Sequence, residues 1–278
     1  MKLGIFAKIF PGDRSTTVFN AASEAGYGAV QYNMACSGIG ALPGEIASEI
    51  VASVRDASLA AGVEIAAISA TYNMIHPDLA IREAGRRSFE AIAASANQMG
   101  SNLLTVCSGS CDAHDQWRHH PDNESAAAWQ EMVAELRLLV AIADRHNILI
   151  GVEPELANVI SSPGRARKLI DELDSDRVRI VFDPANLFDV ETEARRRAII
   201  DDAVVLLADR IEIAHAKDRN ADGSFATAGK GVIDYAAYIA ALKRVGFSGS
   251  LITHGLAASE ARGVADFLRA TLGESEVV

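Results

Sequence analysis

Three cysteines, Cys36, Cys107 and Cys111, are all that 278 residues carry. An odd and low count excludes a disulfide framework, and a chain of this length needs no stapling. Cys107 and Cys111 flank Ser-Gly-Ser without the Cys-x-x-Cys spacing of redox sites, so reduced thiols near a strand end and a cytoplasmic setting are expected. No stretch approaches the ~18 apolar residues of a membrane span, which excludes a membrane as partner. Met1-Lys-Leu-Gly-Ile-Phe-Ala-Lys8 reads as a first strand, since no long apolar stretch with a small-residue cleavage site follows it. Positive charge is also scarce: 26 Lys and Arg face 37 Asp and Glu, a formal net charge of -11. Such a field repels phosphate backbones and no local basic patch offsets it, so no nucleic acid partner is expected. Two further absences bear on fold. No Gly-x-Gly-x-x-Gly turn follows a strand, against a dinucleotide-binding sheet, and no linker rich in Pro, Gly or Ser divides the chain.

With 49% hydrophobic residues the chain can bury one large core. Short β-branched runs alternate with amphipathic stretches along the whole length, the pattern of βαβ units and a parallel sheet. Strands are expected to begin near Leu3, Ala29, Glu64, Asn102, Ile148, Val178, Ile211 and Gly249. Helices are expected over Thr16 to Ala25, Pro43 to Ala61, Asp78 to Met99, Glu124 to His146, Pro163 to Leu173, Thr192 to Ala208, Tyr235 to Val245 and Ser259 to Leu272. Gly62, Gly100 and Gly246 stand where helices should stop, and Ser162-Pro163 where one should start. Eight such repeats predict a single-domain (β/α)8 TIM barrel over residues 1–278. The polar stretch from Gly109 to Asn123, carrying Trp117 and His119-His120, is a lid candidate, and Gly273 to Val278 reads as a disordered tail.

Four apolar runs each deliver a metal-binding side chain near the C-terminal end: Glu153, Asp183, His215 and His254. Parallel strands of a closed barrel all point one way, so these groups converge on one mouth. A carboxylate within an apolar strand is costly to bury unless something neutralises it, and a divalent cation neutralises two at once. Two oxygen and two nitrogen donors without a thiolate suit one Mn2+, Co2+, Zn2+, Fe2+ or Mg2+. Residues two apart share a face of a strand, so Glu155 lies beside Glu153 and one layer nearer the mouth, and Lys217 beside His215. Gln31, Asn33, Asn73, His76 and Asn186 supply hydroxyl-binding chemistry around that centre, although loops are polar in any case. Gly229-Lys230-Gly231 lacks the length and downstream Ser or Thr of a Walker loop and reads as a turn into the seventh helix.

Glu153, Asp183, His215 and a strand-eight ligand, with His215-Ala-Lys-Asp218 and Gly229-Lys-Gly-Val-Ile-Asp-Tyr235, resemble the sugar phosphate isomerase/epimerase family of xylose-isomerase-like barrels. The likeness extends to Thr71-Tyr-Asn-Met-Ile-His-Pro-Asp78 and to Trp117 to Asn123. It implies a (β/α)8 fold, one divalent metal held by four strand-end residues, with Glu153, Asp183 and His215 among them, and a small sugar bound through adjacent oxygens. Many members place a second Glu on strand eight, where this chain has His254, and read Asp-x-x-His on strand six, where it has Asn186. The activity expected is isomerisation or epimerisation of a sugar or keto-sugar by removal of a proton next to a carbonyl. Glu153 is the first candidate base and Lys217 or Glu155 the second, Lys217 either stabilising negative charge or having its own pKa lowered into the range of a base. A lyase or dehydratase on keto-sugars or inositols, an apurinic endonuclease, disfavoured by the charge, and a non-catalytic metal-assisted sugar-binding protein are the alternatives. Homo-oligomer formation is compatible with the sequence.

Overall fold

The computed structural model describes residues 1–273, so all of the expected tail but Gly273 lies outside the described residues. Eight parallel strands close into a barrel: β1 (Lys2–Phe6), β2 (Ala29–Asn33), β3 (Glu64–Ser69), β4 (Leu103–Cys107), β5 (Leu149–Glu153), β6 (Val178–Phe182), β7 (Ile211–Ala216) and β8 (Ser250–Thr253). Each neighbours the next in sequence, and β1 pairs with β8 from Lys2↔Ser250 to Ile5↔Thr253. All eight begin within one residue of the position expected from the sequence.

Eight helices form the outer ring: α1 (Ser15–Glu24), α2 (Ser48–Ala61), α3 (Leu79–Met99), α4 (Ala126–His146), α5 (Pro163–Leu173), α6 (Glu193–Leu207), α7 (Tyr235–Arg244) and α8 (Ala261–Leu272). Side chains fix several starts: Asp78, Ser125, Ser162, Thr192 and Asp234 each accept a hydrogen bond from a backbone N–H of the first turn. Three helices start two or more residues later than the sequence suggests. The chain from Pro43 runs irregularly past Gly44 to an extended Ala47 before α2 begins, and short 3-10 turns at Pro121–Glu124 and Ala258–Glu260 precede α4 and α8. A small antiparallel hairpin, Asp218–Arg219 with Phe225–Ala226, follows β7 and was not foreseen.

The strand period of two divides the barrel into a plug and a site. Ala67, Leu103, Val181, Ile213 and Ile252 form an apolar cluster distinct from the larger core between strands and helices. Gly4 and Gly151 leave it room, since a Cβ on them would lie 2.4 Å from Ile252 Cδ1 and 2.9 Å from Val181 Cγ2. Two residues further toward the C-terminal ends, on the same strand faces, stand Ser69, Thr105, Glu153, Asp183, His215 and His254. The polar centre therefore sits on an apolar floor.

Gly85, within α3, sets how closely that helix approaches the loop after β3: an added Cβ would lie 2.2 to 2.9 Å from three atoms of the buried Tyr72 side chain. Tyr72 is itself held, its hydroxyl donating to Glu135 Oε1 (2.7 Å) of α4. Helix propensity alone favours Gly85→Ala by ~1 kcal/mol, but the overlap dominates because Tyr72 cannot move without losing that bond. Gly85→Ala is expected to destabilise the protein by ~1–3 kcal/mol, as overpacking does. Chemical denaturation checks it, and an unchanged or raised midpoint would contradict the packing described.

A candidate metal centre at the barrel mouth

Glu153 ends β5, Asp183 follows β6, His215 lies within β7 and His254 follows β8. One donor atom from each falls within 4.8 Å of the others. Asp183 Oδ1 accepts from Ala185 N (2.9 Å), capping the turn that Pro184 begins, which leaves Oδ2 to face the cluster. Oδ2 lies 3.0 Å from His254 Nε2, 3.1 Å from Lys217 Nζ and 3.7 Å from His215 Nδ1. Glu153 Oε1 lies 3.3 Å from His215 Nδ1 and accepts from Asn186 Nδ2 (2.9 Å). Lys217 Nζ donates to Asn186 Oδ1 (2.7 Å), so Asn186 ties the lysine to Glu153.

The orientation of His215 is set behind the cluster. Gln31 Nε2 bonds Thr105 Oγ1 (3.1 Å), which turns Gln31 Oε1 toward His215 Nε2 at 2.8 Å. An amide oxygen only accepts, so Nε2 carries the proton and Nδ1 faces the two carboxylates. Nδ1 is buried and has no hydrogen-bond partner. Such a histidine, held by an outer hydrogen bond with its other nitrogen aimed at carboxylates, suits cation ligation.

The electrostatics agree. Burial opposes charge on Asp183, but Lys217, the facing His215 ring and the hydrogen bond from His254 hold its carboxyl well below the usual range. Glu153 is likewise buried, yet His215 first and Lys217 after it hold it low, against the opposing charge of Asp183. Burial opposes a proton on His215, but Glu153 and Asp183 outweigh it and lift its pKa to about 9, so a bound cation takes the place of that proton. His254 is depressed by burial and by the charges of His215 and Lys217, which keeps it a neutral imidazole. The residues fit a divalent cation: two ionised carboxylates match its charge, two imidazoles add nitrogen donors, and one buried nitrogen has no other partner.

These groups open into a cavity of about 500 Å³ lined also by Phe6, Lys8, Asn33, Cys107, Trp117, Glu155 and Phe225. Burial pushes Glu155 up to about 7, more than Lys217 pulls it down. Lys217 departs from one expectation: burial lowers its pKa, but Asp183, Glu153 and Glu155 raise it above the ordinary value, so it stands as an ammonium and not as a base. Its Nζ also sits 4.1 Å from the centroid of Phe225, on the unforeseen hairpin. Burial, with the Glu153 and Glu155 charges, keeps Cys107 a neutral thiol well above its ordinary range.

The sequence-derived substrate contacts divide. Asn186 is in the cluster, and Asn33 lines the cavity while accepting from Ala35 N (3.0 Å). Asn73 and His76 do not reach the cavity. Asn73 braces two loops, exchanging hydrogen bonds with Ser110 O (2.8 Å) and Ser110 N (3.1 Å). His76 Nδ1 accepts from Asp78 N and its Nε2 bonds Ala113 O, both at 3.0 Å. Both side chains line a neighbouring cleft, because the loop after β3 turns outward over α3. The stretch from Gly109 to Asn123 is folded over the mouth, with Trp117 in the cavity wall and His120 capping the following turn. Gly229 N and Gly231 N both donate to Asp218 Oδ2 (3.1 Å), so the anion held by that turn is the chain's own carboxylate.

The profile of the xylose isomerase-like TIM barrel family matches residues 19–271, and the chain belongs to that family. No curated protein sequence matches it. Among solved structures, the apo form of 3-keto-D-glucoside 4-epimerase YcjR from E. coli superposes with a TM-score of 0.77 at 18% identity, over 97% of this chain and 99% of that one. D-psicose 3-epimerase in the presence of D-fructose gives 0.74 at 15% identity, over 98% and 100%. IOLI protein with a bound zinc atom also gives 0.74, at 16% identity over all of both chains. At these identities the likeness is one of fold. No helix among the described residues is long and apolar enough to cross a membrane.

Two substitutions test the centre. Asp183→Ala, removing the oxygen that faces His215, His254 and Lys217, is expected to abolish tight binding of Mn2+ or Zn2+ in calorimetric titration. Gln31→Leu leaves the four donors in place but frees the His215 ring, and should weaken binding by roughly 10- to 100-fold, as loss of an outer hydrogen bond to a ligand does. Unchanged affinity in Gln31→Leu would remove the orienting role given to Gln31.

Proposed function

We propose that the protein is a divalent-metal-dependent isomerase or epimerase acting on a small sugar or keto-sugar by moving a proton on a carbon beside a carbonyl. The observation that carries this reading is the four-donor cluster of Glu153, Asp183, His215 and His254, of which Glu153, His215 and His254 line a cavity that Glu155 and Lys217 line as well. The names of the structural neighbours support it: two are sugar epimerases, and the IOLI structure holds a zinc atom. The donor set of two carboxylates and two imidazoles suits Mn2+, Co2+, Zn2+, Fe2+ or Mg2+.

In this reading Glu153, Asp183, His215 and His254 hold the metal, which when bound polarises a carbonyl and an adjacent hydroxyl and makes the neighbouring C–H more acidic. Glu155 is the proton acceptor. Its carboxyl, held near neutrality by burial, takes a proton and returns it at physiological pH. Lys217, an ammonium oriented by Asp183 and Asn186, offers positive charge to oxygen as the carbon loses its proton. Asn33 lines the cavity and supplies an amide for hydroxyls, Asn186 positions Glu153 and Lys217, and Trp117 forms part of the cavity wall. Glu153 is committed to the cluster and to Asn186, which favours Glu155 as the base.

Incubation with a panel of ketoses, 3-keto-sugars and keto-inositols in heavy water, in the presence of Mn2+, should place deuterium on the carbon beside the carbonyl, and chelation should stop it. Glu155→Gln is expected to lower the exchange rate by ~10²- to 10⁴-fold, the range for loss of an acid or base group, while metal binding is retained. Lys217→Met should slow turnover with little change in metal content. Products followed by NMR distinguish epimerisation from release of a β-substituent, which would identify a lyase. Turnover without deuterium incorporation, or no turnover across the panel with metal bound, would overturn the reading.

A further inference from the structure

Beside the barrel mouth lies a second cavity of about 510 Å³, between the loop after β3, helix α3 and the stretch that follows Ala113. Thr71, Gln116 and Trp117 line both it and the 500 Å³ cavity over the cluster, so the two adjoin across one wall. Either alone is of the size that takes a small ligand, and a single sugar ring in the mouth would leave the side cleft empty.

The shared wall is built to meet a ligand. Trp117 is 50% exposed, unusual for the largest apolar side chain, and its backbone is fixed by its N–H donating to Asp115 Oδ1 (2.9 Å). Next to it, Gln116 Oε1 is buried without a hydrogen-bond partner, while the Gln116 carbonyl is anchored by Asn158 Nδ2 (2.8 Å). Beyond the wall, Leu42 and Ile81 offer apolar surface and His114 and Asp115 polar edges, the mixture that suits a sugar ring with apolar faces and a hydroxylated rim. Asn73 and His76, whose polar atoms are bound to Ser110, Ala113 and Asp78, also line this cleft.

We infer that the substrate is a glycoside of two rings: the reacting sugar occupies the mouth over the metal cluster, and the sugar joined to it by a glycosidic bond occupies the side cleft, with Trp117 and Gln116 at the junction. The inference rests on the proposed function and adds the substrate class to it. It also explains the position of Asn73 and His76, which the sequence assigns to substrate binding and the fold places beside the cleft.

The test is a fluorescence titration of the Mn2+-loaded protein with methyl glycosides of glucose and galactose and of the matching disaccharides cellobiose, maltose and lactose. Trp129, the second of the two tryptophans, is buried with its indole N–H on Glu172 Oε2 (2.8 Å), so changes report Trp117. At least one disaccharide glycoside is expected to bind tenfold or more tightly than its monosaccharide and to shift the Trp117 emission. Ala84→Phe, on the exposed face of α3 that lines only the side cleft, should return the disaccharide to the monosaccharide's affinity and leave the latter unchanged. Ile81→Trp, also exposed, is the second variant should Ala84→Phe not fold. Disaccharides binding no better than monosaccharides, or an advantage that survives filling of the cleft, would overturn the inference and leave the proposed function standing. Binding of neither class, with metal present, would also overturn the inference, and deuterium exchange on the keto-sugar panel then tests the proposed function by itself.

Discussion

Two carboxylates, Glu153 and Asp183, stand inside a closed barrel directly above an apolar plug, and the rest of the site follows from the need to neutralise them. A buried unpaired carboxylate costs several kcal/mol even after relaxation. The chain answers with Lys217, His215 and His254 within 3.0 to 3.7 Å of the carboxylate oxygens. Every other feature of the centre positions one of those groups. Gln31 and Thr105 set the His215 ring, Asn186 joins Lys217 to Glu153, and the turn from Pro184 to Asn186 presents Asp183 Oδ2. A divalent cation completes this arrangement because it supplies in one place the charge that two carboxylates require.

Where the sequence was informative, a strict period made it so. In a strand, alternate residues share a face, and in a parallel barrel all the C-terminal ends share a rim, so four metal-binding side chains after four apolar runs had to meet. Ile213 to His215 and Ile252 to His254 show this directly, with Ile252 paired to His215 across the sheet. Glu155 and Lys217 followed by the same count, since each lies two residues beyond a cluster member. The orienting role of Gln31 was not legible: the sequence placed it on a strand near the mouth but could not say that its amide would reach across the barrel to a residue 184 positions away.

Loops have no such period, and there the sequence misled. Thr71 to Asp78 follows β3 and should enter the mouth on strand direction alone, yet Asn73 and His76 spend their polar atoms on the next loop and lie over α3. The hairpin after β7, which puts Phe225 against Lys217, gave no warning, because strands of two residues are too short for any hydrophobic pattern. Cys107 was read as a reduced thiol near a strand end, as it is, but its place 3.9 Å from Glu153 Oε2 came from the register Cys107↔Glu153 between neighbouring strands. Lys217 shows how competing effects decide a pKa: burial alone would make it a base, and three surrounding carboxylates keep it an ammonium.

His254 is the residue on which the central claim turns, because a neutral imidazole 3.0 Å from Asp183 can either ligate a cation or donate a hydrogen bond. Anomalous diffraction from a crystal grown with Mn2+ or Zn2+ measures this most directly. The account predicts one peak among Glu153, Asp183, His215 Nδ1 and His254 Nε2, at roughly 2.0–2.2 Å from each donor for zinc. A peak elsewhere, or one at three donors with the His254 ring still bonded to Asp183, would contradict it.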